Sequence, residues 1–342
     1  MNTVDVIVPA YKPDRKLIEL IKRVEQQTVA VGQIIIMNTE QKYFDRLMYG
    51  TSFLKDYHNI TVKHISKREF DHGKTRNEGV KRSEADFFVM MTQDAVPENE
   101  HMLEELLKPL QDAKVAAAYA RQLALPESGP IEQFTRNFNY PDKSLLKTKE
   151  DVEKLGIKTF FCSNVCAAYN RKIFDELGGF CKHTIFNEDM IYAAKVIEAG
   201  YGIAYAAKAR VLHAHDYTNR QQFHRNFDLG VSQADHPEVF ARYPSEAEGK
   251  RLVKDTITYL KQQGERRLIP HLICQSGFKY VGYLLGKHYR KLPSGMVLSC
   301  SASKDYWAQD NRIKASSRID ATKGYGRSEE ERNLKGGNIS KM

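Results

Sequence analysis

From Phe87 to Pro97 the chain reads F-F-V-M-M-T-Q-D-A-V-P. Five apolar residues in a row, short and rich in strand formers, mark a β-strand buried on both faces rather than a helix. Such strands belong to parallel sheets covered by helices. The run stops at Thr92-Gln93-Asp94, and Pro97 cannot continue a ladder because it has no N–H to donate. Asp94 is thereby expected at the carboxyl end of an inner strand, where open α/β sheets bind their ligands. The same carboxylate could instead cap a helix expected over Glu98 to Leu110. The rest of the chain has to decide between these two.

Strand and helix signals alternate along the first half. Val4 to Pro9 reads as a first strand, with a turn at Tyr11-Lys12-Pro13-Asp14 after it. Leu17, Leu20, Ile21 and Val24 then form a helical stripe between Arg15 and Gln27. Gln33 to Met37 and Thr61 to Ile65 are further strands, and a short helix leads from Phe70–Gly79 into the Phe87 strand. This spacing predicts a mostly parallel sheet wrapped by helices. Lys114 to Leu125 and Phe160 to Tyr169 read as later strands, separated by a polar insertion over Pro126 to Gly156 that suits an acceptor-facing loop. A helix is expected over Asp189 to Ala199, then short strands at Tyr201 to Ala206 and Ala209 to Leu212. Beyond Tyr217 the pattern is mainly helical to about Tyr289, and from about Asn311 it is polar enough to predict disorder.

Two phosphate-binding devices are missing. Pro9-Ala10-Tyr11-Lys12-Pro13 after the first strand holds no glycine, so there is no G-x-G-x-x-G, and no Walker-type G-x-x-x-x-G-K-[ST] occurs. Any nucleotide must be held in another way. Cys162 and Cys166 are spaced like a metal pair but lie in an apolar, strand-like run, so zinc is not expected there; five cysteines fit reduced thiols. No stretch is long and apolar enough to span a bilayer, and the start lacks the features of an export signal, so a cytoplasmic enzyme is expected.

What remains is an ordered set of motifs: V-I-V-P-A-Y at the first strand end, F-D-H-G-K-T-R-N-E-G from Phe70 to Gly79, T-Q-D-A-V-P from Thr92, Gly178-Gly179-Phe180, and Asn187-Glu188-Asp189 opening a helix. Over roughly residues 3–230 this resembles glycosyltransferase family 2, whose members have the nucleotide-sugar-binding GT-A fold. The Phe70–Gly79 and Thr92–Pro97 motifs, V-L-H-A-H-D-Y-T from Val211 to Thr218, and Lys279 to Tyr289 are similar to bacterial rhamnosyltransferases of O-antigen, capsule and cell-wall rhamnan synthesis.

The resemblance implies an inverting transfer of L-rhamnose from dTDP-β-L-rhamnose to a hydroxyl of a glycan, lipid-linked in many such pathways, assisted by Mn2+ or Mg2+. Asp94 matches the metal-binding acid of the family's Asp-x-Asp motif. Its first acid is replaced here by Thr92, which weakens a ribose contact and suits a deoxyribose donor. Asp189 matches the catalytic base, and Glu188 is the neighbour that would orient it or touch the acceptor, with the two roles open to exchange. The plain alternative is an acidic N-cap. On the residues alone, a base at a helix N-terminus should have its pKa lowered by the helix dipole. His213 and His215 alternate on a strand end and could complete the metal shell, with Asp216 another candidate. Pro9, Tyr11, Thr39, Gly73, Lys74, Arg76, Thr92, Gln93 and Asp94 are the residues expected around the nucleotide-sugar. Of these, Tyr11 and Thr39 would border the base, and Gly73, Lys74 and Arg76 the phosphates. Arg76 could instead pair with Glu78 or Asp71.

Charge divides the chain. From Lys261 onward 16 lysines and arginines face 7 acids, a net +9 that equals the value for the whole chain. Within that quarter, Leu268 to Lys291 mixes apolar and basic residues as a helix lying on an anionic membrane does, or one packing on the catalytic domain or on a second copy in a homodimer. The expected organisation is a catalytic domain over 1–230, a helical basic region over 231–310 and a tail over 311–342. No aromatic-interleaved basic patch points to nucleic acid. Two alternatives stay open: a family member using a UDP-hexose or UDP-N-acetylhexosamine donor, and an inactive scaffold, against which the presence of both Asp94 and Asp189 argues.

Overall fold

The computed structural model describes residues 2–214, 217–243 and 246–308. Its centre is a nine-stranded sheet. β1 (Val4–Tyr11), β2 (Ile34–Thr39), β3 (Ile60–Ile65) and β4 (Phe87–Met91) run parallel, in the order β3-β2-β1-β4. The sheet continues through β8 (Cys166–Asn170), β6 (Val115–Leu123) and β9 (Gly202–Leu212). β8 runs against both β4 and β6, whereas β6 and β9 are parallel. β5 (Val96–Pro97) and β7 (Leu145–Lys147) add short antiparallel pairings to β9. The mostly parallel, helix-covered sheet is as expected.

Period-two alternation splits the strands between two cores. Val4, Val6 and Val8 face Leu17, Leu20, Ile21 and Val24 of the Arg15–Glu25 helix, while Ile7 faces the opposite way with Phe88 and Met90. Each of those helical side chains is fully buried, a contribution of roughly 1.5–3 kcal/mol apiece. On the second face an aromatic cluster of Phe88, Tyr169, Phe174, Phe180 and Tyr192 seats the Glu188–Glu198 helix on the sheet.

Several local expectations are corrected. The helix after Asp94 covers Met102–Leu107 only, so Asp94 is not its cap. Phe160 to Val165 is not strand: Gly156–Phe160 winds as a 3-10 turn, and β8 starts at Cys166. The two short strands after Tyr201 are one, β9, irregular in its pairing with β6. Pro97 does take part in a two-residue bridge, at the sheet's edge, where a missing N–H is tolerated. The 126–156 insertion is structured, carrying the Pro130–Asn139 helix and β7.

The Asn219–Asp235 helix passes through residue 230 unbroken and packs along the Ile269–Lys287 helix. Backbone meets backbone there: a Cβ on Gly282 or Gly286 would lie 2.3 or 2.0 Å from the carbonyl oxygens of Phe223 and Phe227. A third small core of Phe227, Val231, Tyr289, Val297 and Trp307 ties the chain's last described turn to this pair. The tail expected to be disordered lies outside the described residues.

Candidate active site

The carboxyl edge of the sheet collects the candidate residues, because β1, β2, β4, β6 and β9 all end there. Asp94, in the loop after β4, is one-fifth exposed and faces His213, just past β9, with Oδ1 3.6 Å from Nε2. His213 is buried, and its Nδ1 lies 3.0 Å from Gln122 Oε1 near the end of β6. Arg136 Nη1 donates to the same Oε1 at 2.5 Å. An arginine only donates, so Gln122 Oε1 is an acceptor and takes the Nδ1 proton of His213. In the neutral imidazole the Nε2 electron pair is thereby turned toward Asp94. A carboxylate oxygen and an imidazole lone pair on one side of a cleft suit a hard or borderline divalent cation such as Mg2+ or Mn2+. Among the described residues no group of three or more metal-ligating side chains comes together. Water and donor phosphate oxygens would have to complete a shell, as Mg2+ sites commonly require. His215 and Asp216 lie outside the described residues.

The second half of the site is the start of the Glu188–Glu198 helix. Its cap, Asn187, is left-handed with φ 62°, and Asn187 Nδ2 donates to Ser232 Oγ at 3.2 Å. Glu188 is buried and fully engaged. It accepts from Asn164 Nδ2 at 3.0 Å, pairs with Arg76 Nε at 3.1 Å and faces His72 Nδ1 at 3.8 Å. Burial opposes its charge, but Arg76, His72 and Asn164 outweigh burial and hold its carboxyl below the usual range. Asp189 is less enclosed and accepts from the backbone N–H of Asn164 at 2.9 Å and of Met190 at 2.8 Å. Its carboxyl is pushed up to about 7, by burial first and then by the Glu188 charge. The lowering expected from the helix dipole is overturned, since two amide hydrogen bonds do not offset burial beside a second carboxylate. The two neighbouring acids thus sit in unlike surroundings, Glu188 held by Arg76 and Asn164 and Asp189 by two backbone amides.

Hydrogen bonds together with the Ser163–Asn164 peptide link connect His213 to the two helix-start acids. Gln122 Nε2 donates to Ser163 Oγ at 3.0 Å, and Asn164, next along, holds both Glu188 and Asp189. Tyr169 fixes Asn164 in turn, its hydroxyl donating to Oδ1 at 2.8 Å. Gln122, Arg136, Asn164 and Ser163 were not legible from the sequence as site residues. The one available signal was Gln122 itself, an amide ending the apolar run V-A-A-A-Y-A-R-Q-L.

The remaining expected residues distribute unevenly. Gln93 is clamped to the Tyr11 backbone, accepting from its N–H at 3.0 Å and donating to its carbonyl at 3.1 Å, so it joins the β4 and β1 loops. Pro9 is part-buried within β1. Thr92 donates its N–H to Val165 O and keeps a buried hydroxyl without a hydrogen-bond partner. Tyr11 and Thr39 line a cleft of about 280 Å³ with His72 and Asp71. Lys74 is exposed on the His72–Val80 helix. At Gly73 a Cβ would sit 1.8 Å from the Cys181 carbonyl oxygen, so its bare face receives the 180–181 backbone. Arg76 pairs with neither Glu78 nor Asp71 but with Glu188. Gly178 and Gly179, at φ 76° and 69°, turn the chain so that Asn77 can clamp both the N–H and the carbonyl of Phe180. Cys162 and Cys166 are both buried free thiols, Cys162 Sγ lying 3.7 Å from the Tyr169 hydroxyl.

Comparison with known proteins places these features in a family. Residues 5–178 match glycosyl transferase family 2. The chain is 39% identical over 316 residues to O-antigen chain rhamnosyltransferase RfbN of Salmonella typhimurium, covering 92% of this chain and 98% of that protein. It is 41% identical over 320 residues to O-antigen chain rhamnosyltransferase WbaN of Salmonella anatum, covering 93% and 98%. Among solved structures it resembles the mannosyltransferase PcManGT from Pyrobaculum calidifontis, determined with GDP-Man and Mn2+. The TM-score is 0.52 at 15% identity, over 90% of this chain and 88% of that one, a likeness of GT-A fold.

Proposed function

Because the chain belongs to glycosyl transferase family 2 and is a glycosyltransferase, we propose that it moves L-rhamnose from dTDP-β-L-rhamnose to a hydroxyl of a lipid-linked glycan, with inversion at the anomeric carbon. The donor sugar follows from the two relatives, each named a rhamnosyltransferase and matched over nearly its whole length. The observation that carries the mechanism is the unequal carboxylate pair, Asp189 raised beside a Glu188 held low, linked through Asn164, Ser163 and Gln122 to His213, which faces Asp94 at 3.6 Å.

In this reading Asp189 takes the proton of the acceptor hydroxyl as that oxygen bonds to the anomeric carbon. The bond from that carbon to the diphosphate oxygen breaks, and its electron pair leaves on the diphosphate. A base with a pKa near the working pH combines adequate ionisation with adequate proton affinity. Glu188 and Asn164 fix its direction, and Glu188, kept ionised by Arg76, sustains its basicity. Mn2+ or Mg2+ bound by Asp94 and His213 would supply Lewis-acid stabilisation of the departing diphosphate. Thr92 and Gln93 shape the loop that carries Asp94, while Tyr11 and Thr39 border the nucleoside.

The test is a thermal-shift panel of nucleotide-sugars with Mn2+ or Mg2+, followed by transfer assays. A ligand at 100 times its Kd stabilises by about 2.7 kcal/mol, well within reach of the measurement. Stabilisation by dTDP-rhamnose and sugar transfer that is lost in Asp189→Asn support the reading. A shift with UDP-sugars alone reassigns the donor, and normal transfer by Asp189→Asn sinks the site.

A peripheral place at the cytoplasmic face of the bacterial membrane belongs to the same proposal. No described helix is long and apolar enough to cross a membrane. The Ile269–Lys287 helix instead buries Leu272, Gly282 and Tyr283 against its neighbours and leaves Ile273, Tyr280, Val281 and Leu284 exposed along the other side. That apolar face, on a helix within the part of the sequence that carries the basic excess, suits an anionic lipid surface.

A further inference from the structure

The cleft bordered by Tyr11 and Thr39 has a second wall that the family match, ending at residue 178, does not include. Ala302, Ser303, Asp305 and Tyr306, from the end of the described chain, line it as well. At about 280 Å³ the cleft is at the small end of ligand sites, which run from roughly 300 Å³ upward, so it suits one end of a nucleotide-sugar. Thr39, which lines this cleft, is 2% exposed, and its buried hydroxyl has no hydrogen-bond partner. A buried hydroxyl left unpaired beside an opening is a group waiting for a polar ligand edge.

The wall is built, not draped. Asp228 accepts from Ser301 Oγ at 2.6 Å and from the Ala302 N–H at 3.1 Å, fixing where the segment leaves the Ser294–Cys300 helix. Trp307 is fully buried, 5.4 Å from the Tyr289 ring. Tyr306 stacks on His183 at 4.6 Å, and Asp305 pairs at 2.8 Å with Lys67, another residue of the cleft lining. Aromatic and small polar side chains, with an unpaired hydroxyl and Tyr11, are the chemistry that receives a flat heterocycle with a hydrogen-bonding edge.

We propose that residues 302–306 form part of the donor site, closing on the nucleoside of the nucleotide-sugar and setting how tightly its base is held. The inference rests on the nucleotide-sugar reading above. It makes Tyr306 and Asp305 affinity-determining residues that take no part in the chemical step.

Tyr306→Leu and Asp305→Asn, each first shown to melt within a few degrees of the unaltered protein, test it. The readouts are calorimetric affinity for dTDP, affinity for inorganic pyrophosphate, both with Mn2+, and the donor KM and kcat. The expected result is about a tenfold loss of dTDP affinity for Tyr306→Leu, the size of one lost base contact, and a smaller loss for Asp305→Asn. Donor KM should rise in step, with kcat and pyrophosphate affinity unchanged. Unchanged dTDP affinity in both variants overturns the proposal and leaves the transferase reading intact. Equal losses for dTDP and pyrophosphate also overturn it, because the segment would then only support the fold. If the unaltered protein binds no nucleoside diphosphate, the donor reading fails and this inference with it.

Discussion

Asp189 and Glu188 are neighbours in sequence, yet their environments drive them apart: one is raised by burial and by its neighbour's charge, the other is held ionised by Arg76 and His72. If Asp189 must be deprotonated to act, kcat/KM rises with pH and levels off above about 7. Glu188→Gln removes the negative neighbour while leaving Arg76 in place, so the rising limb should move to lower pH in a pH–rate profile. A limb that stays fixed or moves upward rejects the coupling. Asp189→Asn should lower kcat by about 10²–10⁴, the usual worth of general base catalysis, with donor affinity changed little. Asp94→Ala and His213→Ala should act differently. Calorimetry with and without Mn2+ should show loss of the metal-dependent part of dTDP binding, while binding in EDTA is retained. Equal dTDP affinity with metal in the variants and the unaltered protein would rule these two residues out as metal ligands.

At the scale of elements, glycines separate contacts from open space. The Ile269–Lys287 helix can approach Asn219–Asp235 so closely because Gly282 and Gly286 carry no Cβ; alanine at either meets a backbone carbonyl oxygen within 2.3 Å. Each substitution should cost about 1–3 kcal/mol in denaturant unfolding, as overpacking does. Gly249 and Gly277 sit on helices with nothing within 4 Å of an added Cβ, so alanine there should stabilise by roughly 0.5–1 kcal/mol. Gly73→Ala is the informative case for the site. Its Cβ would push the His72–Val80 helix off Cys181 and carry Arg76 and His72 away from Glu188. Loss of stability and of activity together is expected, and a variant as stable and active as the unaltered chain would contradict this account of the helix. Lys147 makes a similar point about the insertion. Buried beneath the 158–161 turn, it donates to the carbonyls of Lys158 and Phe161, and so supports the segment that leads into Ser163 and Asn164.

Across the whole molecule, the Ile269–Lys287 helix leaves Ile273, Tyr280, Val281 and Leu284 exposed on a face that carries none of the proposed site residues. Sedimentation with vesicles should show binding that needs anionic lipid and weakens with salt, since surface attraction falls within a Debye length of about 10 Å at 0.1 M salt. Ile273→Glu with Leu284→Glu should abolish vesicle binding while transfer to a water-soluble acceptor persists. Equal binding by this double variant would show that another surface meets the lipid.

Local chemistry determined a good deal in advance. Uninterrupted apolar runs pointed to strands covered on both faces, and their spacing to a helix-wrapped, largely parallel sheet with Asp94 at the carboxyl end of an inner strand, while the family resemblance singled out Asp189. These features depend on near neighbours in the chain, so sequence carries them. Tertiary structure alone decided what those acids are worth. Asn164 reaches Asp189, Gln122 reaches His213, Glu188 takes Arg76, and Tyr306 lines one cleft with Thr39. A pKa depends on burial and on charges brought in from distant elements, and no local pattern encodes that distance.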